Sequence, residues 1–340
     1  MAHFDVQAKL WEKLEDNKVR CLLCPTGCVI ADGGQGQCRV RRNKGGVLYA
    51  ASYGEATALA VDPIEKKPLY HYFPGWDILS IGSWGCNFKC GYCQNCDISQ
   101  IAESGRFRVE PAQLVAAATR APRNVGLAYT YNEPLIWYEF LLDCGAAMRE
   151  AGLRNVLVTN GYINPEPLRQ LLPLIDAVNM DLKSFSDDFY KRICKGRLDP
   201  VLRSAEAFKE SCHLEVTYLL IPGENDSEEE TEALARWVAE HLGRDTPLHI
   251  SRFFPRYKWS GPPTALSALA RAREIAKQHL DHVFVGNAEI DGASNTYCPA
   301  CGAVLIQRLG YQVSLAGLAP DGSCRSCGAK TSIVMPESER

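Results

Sequence analysis

The stretch GCNFKCGYCQN, from Gly85 to Asn95, places three cysteines, Cys86, Cys90 and Cys93, within eight positions. It follows directly on the apolar run DILSIGSW, which has the pattern of a buried strand. A zinc ion could take these thiols together with Cys96, but such dense spacing is unlike the two separated pairs of a zinc ribbon. Short loops of this kind hold iron–sulfur clusters, and a cluster tied by only three thiolates keeps one iron open for a small ligand.

The region from Ile78 to about Ala288 alternates apolar β-type runs with segments whose apolar residues recur at helical spacing. Six or more alternations predict an α/β fold with a parallel sheet, either a barrel or a doubly wound sheet. Short motifs of polar residues follow the predicted strands, and in βα barrels the active site lies at this carboxyl edge of the sheet. The predicted strands are DILSIGSWGC, VGLAYTYNEP, NVLVTNGY, AVNMDLKSF, HLEVTYLLIPG, PLHISRFF and HVFVGNA, and three predicted helices are PAQLVAAATRA, PLIWYEFLLDCGAAMREAG and EEETEALARWVAEHL.

The spacing C-x₃-C-x-φ-C, in which the aromatic φ is Tyr92, resembles the signature of radical S-adenosylmethionine (SAM) enzymes. The resemblance implies a partial (β/α)6 TIM-like barrel and a [4Fe–4S] cluster on Cys86, Cys90 and Cys93, with SAM on its open iron. It also implies one-electron cleavage of SAM to methionine and a 5′-deoxyadenosyl radical that abstracts hydrogen from a substrate. Cys96 is then either a spare buried thiol or a nearby redox-active one.

Polar residues at the ends of the later strand runs extend the resemblance. The segment YTYNEP, with Thr130, Asn132 and Glu133, is similar to the family's segment that receives the SAM ammonium, although Asn-Glu-Pro is also good helix-capping chemistry. Thr159 and Asn160 would line the barrel mouth. The resemblance also implies that Asp181 and Lys183 receive the SAM carboxylate, with a purely structural ion pair as the alternative, and that His249 contacts the nucleoside, with a satisfied core histidine as the alternative.

The likeness runs over nearly the whole chain. CLLCPTGC, DPIEKKPLYHYFPG, SIGSWGCNFKCGYCQN, YTYNEP, TNGY, MDLKSF and CPACGAVLIQRLGY occur in this order and together resemble the radical SAM enzyme of the AmmeMemoRadiSam system, a relative of pyruvate formate-lyase-activating enzymes. The sequence departs from that family at Cys96, where tryptophan is common, and at its last residues. The resemblance implies a reductant protein such as flavodoxin or ferredoxin, and a protein substrate or the partner proteins of that system.

Two further cysteine sets flank this core. The C-terminal set forms two Cys-x-x-Cys-Gly knuckles that predict a tetrahedral zinc site in a ribbon-like module, either a structural support or a lid. The N-terminal set lies in a glycine-rich loop and suits either zinc or a second iron–sulfur cluster. We therefore expect an N-terminal helix and cysteine-rich region over 1–75, a radical SAM core over 76–290 and a zinc-ribbon-like module over 291–340. The C-terminal set is Cys298, Cys301, Cys324 and Cys327, and the N-terminal set is Cys21, Cys24, Cys28 and Cys38.

Composition bounds the remaining alternatives. The 340 residues carry a formal net charge of −3, which argues against a general nucleic-acid or membrane-surface binder. With no bilayer-length apolar run and an amphipathic, helix-like start MAHFDVQAKLWEKLEDNK, a cytoplasmic protein is expected. Two competing functions remain: an activase that installs a glycyl radical on a partner enzyme, and a non-catalytic iron–sulfur or zinc scaffold.

Overall fold

The computed structural model describes residues 6–101 and 105–336. Its strands are β1 (Trp11–Lys13), β2 (Val19–Cys21), β3 (Val29–Ile30), β4 (Arg41–Lys44), β5 (Val47–Ala50), β6 (Glu55–Ala56), β7 (Ala58–Pro63), β8 (Asp77–Gly82), β9 (Phe107–Arg108), β10 (Asn124–Tyr129), β11 (Arg154–Thr159), β12 (Ala177–Asp181), β13 (His213–Leu220), β14 (Leu248–Arg252), β15 (Val283–Gly286), β16 (Thr296–Tyr297), β17 (Val304–Leu309) and β18 (Gln312–Ser314). The α-helices are α1 (Pro111–Arg120), α2 (Tyr138–Glu150), α3 (Pro165–Leu171), α4 (Asp187–Phe189), α5 (Leu198–Ser211), α6 (Glu228–Trp237) and α7 (Leu266–Ala276).

The central sheet has eight strands in the order β15-β14-β13-β12-β11-β10-β8-β7. All neighbours from β8 to β15 pair in parallel, and β7 adds an antiparallel edge. Each parallel strand lies beside the next one along the chain, with helices in the crossovers. The prediction of an α/β fold with a parallel sheet is therefore confirmed, and all seven predicted runs contain a strand. Within the described residues, β7 and β15 are unpaired edges, so the sheet is open.

Local sequence explains where the elements begin and why they pack. The runs of β8 and β10 are buried at all but their first residue, because helices cover one face of the sheet and core side chains the other. Helix α1 starts with Pro111 after a capping box between Glu110 and Gln113. Ser227 caps the start of helix α6, because its hydroxyl oxygen accepts a hydrogen bond from the backbone N–H of Glu230 at 3.1 Å.

The predicted N-terminal amphipathic helix is wrong over the described part of that segment. Residues 11–13 form β1, which pairs antiparallel with β2. The connecting turn contains Asp16 and Asn17, both with φ of +54°. Asp and Asn adopt this left-handed conformation at low cost, so the Asp-Asn pair favours a hairpin over a continuing helix. Residues 1–5 lie outside the described residues.

The C-terminal sheet β16-β17-β18 contacts Tyr70 and His71, whose backbone N–H groups donate to Glu215 near the amino end of β13. The buried Arg308 of β17 donates through Nη2 to the carbonyl oxygen of Tyr70 at 2.6 Å, and its Cζ lies 4.2 Å from the centroid of the Tyr70 ring. His71, next to Tyr70, contacts Thr296 Oγ1 at 3.2 Å. Polar signatures gather at the opposite, carboxyl edge of the sheet, so these contacts favour structural support over a lid.

In the ranges 6–101 and 105–336, no helix combines the length and apolar character needed to cross a bilayer. The boundaries predicted near residues 75 and 290 stay predictions.

Candidate active site

A cavity of about 330 Å³ lies at the carboxyl edge of the central sheet. Cys86, Cys90 and Cys93 all line it, whereas Cys96 is buried with its Sγ 3.7 Å from Asp97 Oδ1 and is not among the described residues that line the cavity. The lining therefore groups the first three cysteines of the loop. Eight other predicted residues line the same cavity: Tyr92, Thr130, Asn132, Glu133, Thr159, Asn160, Asp181 and Lys183.

The thiols of Cys86 and Cys93 each have a hydrogen-bonding neighbour. The backbone N–H of Phe88 donates to Cys86 Sγ at 3.3 Å, and Ser99 Oγ lies 3.0 Å from Cys93 Sγ. Burial raises the pKa of both thiols, well above the ordinary value at Cys86. Such groups favour the neutral thiol until a bound cation compensates their charge. The loop is therefore suited to hold metal rather than free thiolates.

Cys90 has a sulfur neighbour that sequence reasoning missed. Cys194 Sγ lies 3.6 Å from Cys90 Sγ, and Tyr92 Oη is 4.0 Å from Cys194 Sγ. The hydrogen bond between the two thiols lowers the pKa of Cys90, against the effect of its burial. A lone cysteine such as Cys194 carries no spacing signal in the sequence, and a buried apolar role is the usual one for it.

The sulfurs of this loop are not arranged around a single ion. Among the described residues, no three of these sulfurs lie within 4.8 Å of one another, as they do at the other end of the chain. Thiolates on one tetrahedral zinc ion stand about 3.8 Å apart, given Zn–S bonds of about 2.3 Å. Wider separation fits ligands on the corners of a multi-iron core.

Glu133 is a buried carboxylate at the base of the cavity. Its Oε1 accepts from the backbone N–H of Leu135 at 2.9 Å and from Thr159 Oγ1 at 2.7 Å, and its Oε2 accepts from the backbone N–H of Asn160 at 2.8 Å. Burial outweighs these donors and raises the pKa of Glu133 to about 7. The carboxyl group caps the helical turn that follows and also lines the cavity, so both functions predicted for it are compatible with the geometry.

Lys183 and Asp181 form an ion pair on the cavity wall. Lys183 Nζ lies 2.7 Å from Asp181 Oδ2, and both side chains are partly exposed to the cavity. Burial opposes the charge on Lys183, but the negative charges of Asp181 and the Cys90 thiolate outweigh it and raise the pKa of Lys183 above the ordinary value. The ion pair predicted as the structural alternative is present, and its lysine still faces the cavity as a cation.

His249 lies elsewhere. It is the second residue of β14, at the amino end of the strand, and its Nε2 lies 2.6 Å from Glu215 Oε2. It is buried and absent from the described cavity lining, which fits the alternative of a satisfied core histidine, and its predicted contact with the nucleoside stays a prediction. Ser251, two positions nearer the carboxyl end of the same strand, lines the cavity instead. The pattern HIS carried no information on which end of the strand each residue occupies.

Lys67, which sequence reasoning missed, and Tyr131 line a further wall of the cavity, and Asp62 bonds to both of them. Tyr131 Oη donates to Asp62 Oδ2 at 2.8 Å, Lys67 Nζ contacts the same oxygen at 2.8 Å, and Lys67 lies 4.7 Å from the Tyr131 ring centroid. Burial opposes the charge on Asp62, but Lys67 and Tyr131 hold its pKa well below the ordinary value. Lys67 belongs to the segment DPIEKKPLYHYFPG, and only the tertiary structure brings that segment to the cavity.

The C-terminal cysteines form a compact set. Cys298 Sγ lies 3.7 Å from Cys327 Sγ, and Cys301 Sγ lies 3.8 Å from Cys324 Sγ. All four sulfurs are within 4.8 Å of one another. These separations match a tetrahedral ion with metal–sulfur bonds of about 2.3 Å. The set is therefore a candidate metal site.

The N-terminal cysteines share a second, smaller cavity. Its lining includes Arg41 and Asn87, together with all four predicted ligands, Cys21, Cys24, Cys28 and Cys38. No three of these described sulfurs lie within 4.8 Å of one another. The set thus differs in its spacing from the C-terminal one.

Comparison with known proteins agrees with this geometry. The sequence profile of the radical SAM superfamily matches residues 81–235. An uncharacterized protein of Methanocaldococcus jannaschii is 43% identical over 335 residues, covering 97% of this chain and 99% of that protein. Residues 81–235 are therefore a radical SAM domain. Such a domain supports an enzyme and implies a [4Fe–4S] cluster and SAM.

The pyruvate formate-lyase-activating enzyme of Clostridium pasteurianum is a more distant relative. It is 28% identical over 160 residues, which are 45% of this radical SAM chain and 66% of that enzyme. A radical SAM methyltransferase structure from Sphaerobacter thermophilus superposes with a TM-score of 0.49 at 16% identity, covering 68% of this chain and 71% of the other. The chain is thus homologous to activating enzymes over less than half of its length.

Proposed function

We propose that this radical SAM protein binds a [4Fe–4S] cluster through Cys86, Cys90 and Cys93 and cleaves SAM to start radical chemistry on a substrate. The observation that carries the proposal is one cavity lined by three thiols, a buried carboxyl group and a lysine. Its volume of about 330 Å³ lies in the range of small-molecule sites. We assign the core to a partial (β/α)6 barrel with this cavity at its mouth.

The residues present fit the cluster. The three thiols share one cavity, and Cys86 and Cys93 have polar neighbours that can donate to sulfur. When bound, the reduced cluster supplies the electron that breaks a C–S bond of the SAM sulfonium and yields methionine and a 5′-deoxyadenosyl radical. The chain itself binds, orients and shields the reactants.

The polar walls fit the amino-acid part of SAM. The ionised form of Glu133 is an acceptor for the ammonium group, and Lys183 is a cation for the carboxylate. Thr159 and the backbone of Asn160 hold Glu133 in place, and Asp181 holds Lys183. Thr130, Asn132 and Tyr92 complete the wall around the loop. His249 is left out of the proposed site because it is buried against Glu215 and is absent from the described cavity lining.

Within the superfamily, we assign the chain to the radical SAM enzyme of the AmmeMemoRadiSam system. The ordered motifs from CLLCPTGC to CPACGAVLIQRLGY support this assignment. The expected partners are a reductant protein, such as flavodoxin or ferredoxin, and a protein substrate or the other proteins of that system. The sulfur spacing supports zinc at the C-terminal cysteines.

A second candidate is an activase that installs a glycyl radical. The 28% identity to an activating enzyme supports it, but that similarity covers only 45% of this chain. Incubation with SAM, reductant and a candidate partner enzyme should produce a glycyl-radical EPR signal in the partner if this candidate holds. SAM cleavage without such a signal favours another substrate class.

The proposed function is tested by incubating anaerobically reconstituted protein with SAM and dithionite. 5′-Deoxyadenosine should accumulate, and Cys90→Ala should abolish it because the cluster loses a ligand. Cys212→Ser is a matched control, since Cys212 bonds only the Phe208 carbonyl among its described neighbours and lies outside the cavity. Failure of the wild-type protein to cleave SAM despite a full iron and sulfide content would refute the proposal.

A further inference from the structure

The N-terminal cysteines enclose a cavity that contains a buried, incompletely bonded cation. Arg41 is 1% exposed and donates through Nη1 to Glu139 Oε1 at 2.8 Å. Its Nε and Nη2 are buried without a hydrogen-bond partner among the described residues. A buried donor without an acceptor costs about 1–3 kcal/mol. Arg41 lines the cavity with the four cysteines, so an anionic centre among the sulfurs would provide the missing acceptors.

The backbone around the sulfurs is also arranged to donate. The N–H of Gln37 donates to Cys28 Sγ at 3.4 Å. N–H donors to sulfur stabilise metal–thiolate centres and help set the reduction potential of iron–sulfur clusters. The cavity thus has the surroundings of a metal–sulfur centre, not of spare thiols.

The spacing of the sulfurs separates a single ion from a cluster. The C-terminal set of this same chain has sulfurs 3.7 and 3.8 Å apart and all four within 4.8 Å. In the N-terminal set, no three described sulfurs meet that limit, although all four line one cavity. The catalytic loop shares this wider spacing. The N-terminal set therefore resembles the ligands of a multi-iron core rather than those of one zinc ion.

The N-terminal cavity also adjoins the catalytic loop. Gly85 has φ of +82°, and a Cβ there would lie 2.4 Å from the carbonyl oxygen of Cys38, so the two segments pack at backbone contact. Gln37 Nε2 donates to the Asn87 carbonyl at 2.6 Å. Asn87 follows Cys86 and lines the N-terminal cavity, and its Oδ1 accepts from Asn160, which lines the other cavity. One residue thus forms a wall between the two cysteine sets.

We propose that Cys21, Cys24, Cys28 and Cys38 ligate a second iron–sulfur cluster that delivers electrons to the catalytic cluster; the delivery, but not the site, rests on the proposed function. A one-electron donor protein of the flavodoxin or ferredoxin class is oxidised as the second cluster is reduced by one electron. The same electron then reduces the catalytic cluster and restores the second one to its oxidised form. No atom or proton needs to cross the wall at Asn87.

The site is tested by removing the other cluster. A variant with Cys86, Cys90 and Cys93 all changed to Ala keeps the N-terminal ligands. Purified anaerobically, it should retain about four iron and four sulfide per chain, against about eight of each in the wild type, and show an iron–sulfur EPR signal after reduction. Zinc in place of this residual iron, or no metal beyond that of the C-terminal set, would overturn the assignment.

If that variant does not fold, a second measurement on the wild-type protein tests the same proposal. Mössbauer spectra of the wild-type protein should show two clusters, one with a distinct iron when SAM is added and one with four equivalent thiolate ligands. A single cluster in fully loaded wild-type protein would overturn the proposal. Absence of SAM cleavage by protein that holds both clusters would refute the proposed function and leave the second site standing.

Electron delivery has its own test. A Cys24→Ser, Cys28→Ser variant should lose reduction of the catalytic cluster by reduced flavodoxin while dithionite, a small reductant, still reduces it. EPR of the catalytic cluster is the readout, and circular dichroism verifies folding. Equal reduction of variant and wild type by flavodoxin would contradict the delivery role.

Discussion

Cys194 Sγ lies 3.6 Å from Cys90 Sγ at the proposed catalytic cluster. Once Cys90 is a thiolate ligand, only Cys194 can donate in this pair, and its S–H is a weak donor. A donor to a ligand sulfur stabilises the reduced cluster, which is the more negative form. Cys194 is therefore a positioning residue that we expect to tune the potential.

Replacing Cys194 by Ala should lower the midpoint potential of the catalytic cluster by roughly 20–40 mV, the equivalent of up to about 1 kcal/mol for one hydrogen bond. An EPR-monitored redox titration measures the change at unchanged iron content. Cys144→Ala is the control, because Cys144 is equally buried but lies outside the cavity lining. An identical potential in both variants and the wild type would count against the donor role.

The second prediction concerns the buried carboxyl group of Glu133. Its pKa of about 7, against an ordinary 4.5, corresponds to about 3 kcal/mol of preference for the neutral form in the folded protein. This contribution to stability is fully present below pH 4.5 and is lost as the pH rises through 7. In SAM-free protein, an infrared carboxylic-acid band should therefore titrate near pH 7.

Glu133→Gln should abolish that band, since no carboxyl group remains. SAM should move the midpoint to lower pH in the wild type, because an ammonium group near the carboxylate favours its ionised form. A band that titrates with an ordinary pKa near 4.5 would contradict the burial argument, and a midpoint insensitive to SAM would contradict contact with the ammonium group.

Lys183→Met should weaken SAM binding about ten- to hundredfold, since hydrogen bonds to charged groups contribute about 1.5–3 kcal/mol. Equilibrium dialysis on cluster-loaded protein provides the measurement. Lys209→Met is a matched control, because Lys209 also pairs with an aspartate, Asp245, at 3.5 Å but lies outside the described cavity lining. If Lys183→Met binds SAM with the affinity of the wild type, the Asp181–Lys183 ion pair has only a structural function.

The C-terminal cysteines yield a fourth prediction. Cys301→Ser should remove about one zinc per chain and make the segment after residue 290 sensitive to protease, since its buried apolar cluster is small. Elemental analysis and limited proteolysis with mass spectrometry measure these effects. Iron content should stay unchanged, and Cys212→Ser should match the wild type. Full zinc in Cys301→Ser would refute a four-cysteine site.

Features encoded by local pattern could be predicted. All seven central runs were identifiable because apolar β-type segments alternate with helical periodicity, and Cys86, Cys90 and Cys93 were grouped by their spacing. Glu133 and Lys183 follow strand ends, and parallel strands bring those ends to one edge. The order of strands along the chain was therefore enough to predict that Glu133 and Lys183 lie close together.

Contacts between residues that are distant in the sequence could not be predicted. Cys194 reaches Cys90 through a turn that ends with Lys195 at a φ of +60°, which no sequence period indicates. The sequence does not show that His249 is buried against Glu215 instead of lining the cavity, because that contact joins two strands. Asn87 forms a wall between two cysteine sets only because residues 37 and 38 fold back onto the loop.

The most direct test of the central claim is the EPR spectrum of the reduced protein with and without SAM. An iron corner left open by three cysteine ligands should bind SAM, so the signal of the catalytic cluster should change shape on its addition. The Cys86, Cys90 and Cys93 triple-Ala variant should give a signal that SAM does not alter. A wild-type spectrum that SAM leaves unchanged, in protein with a full catalytic cluster, would contradict the account.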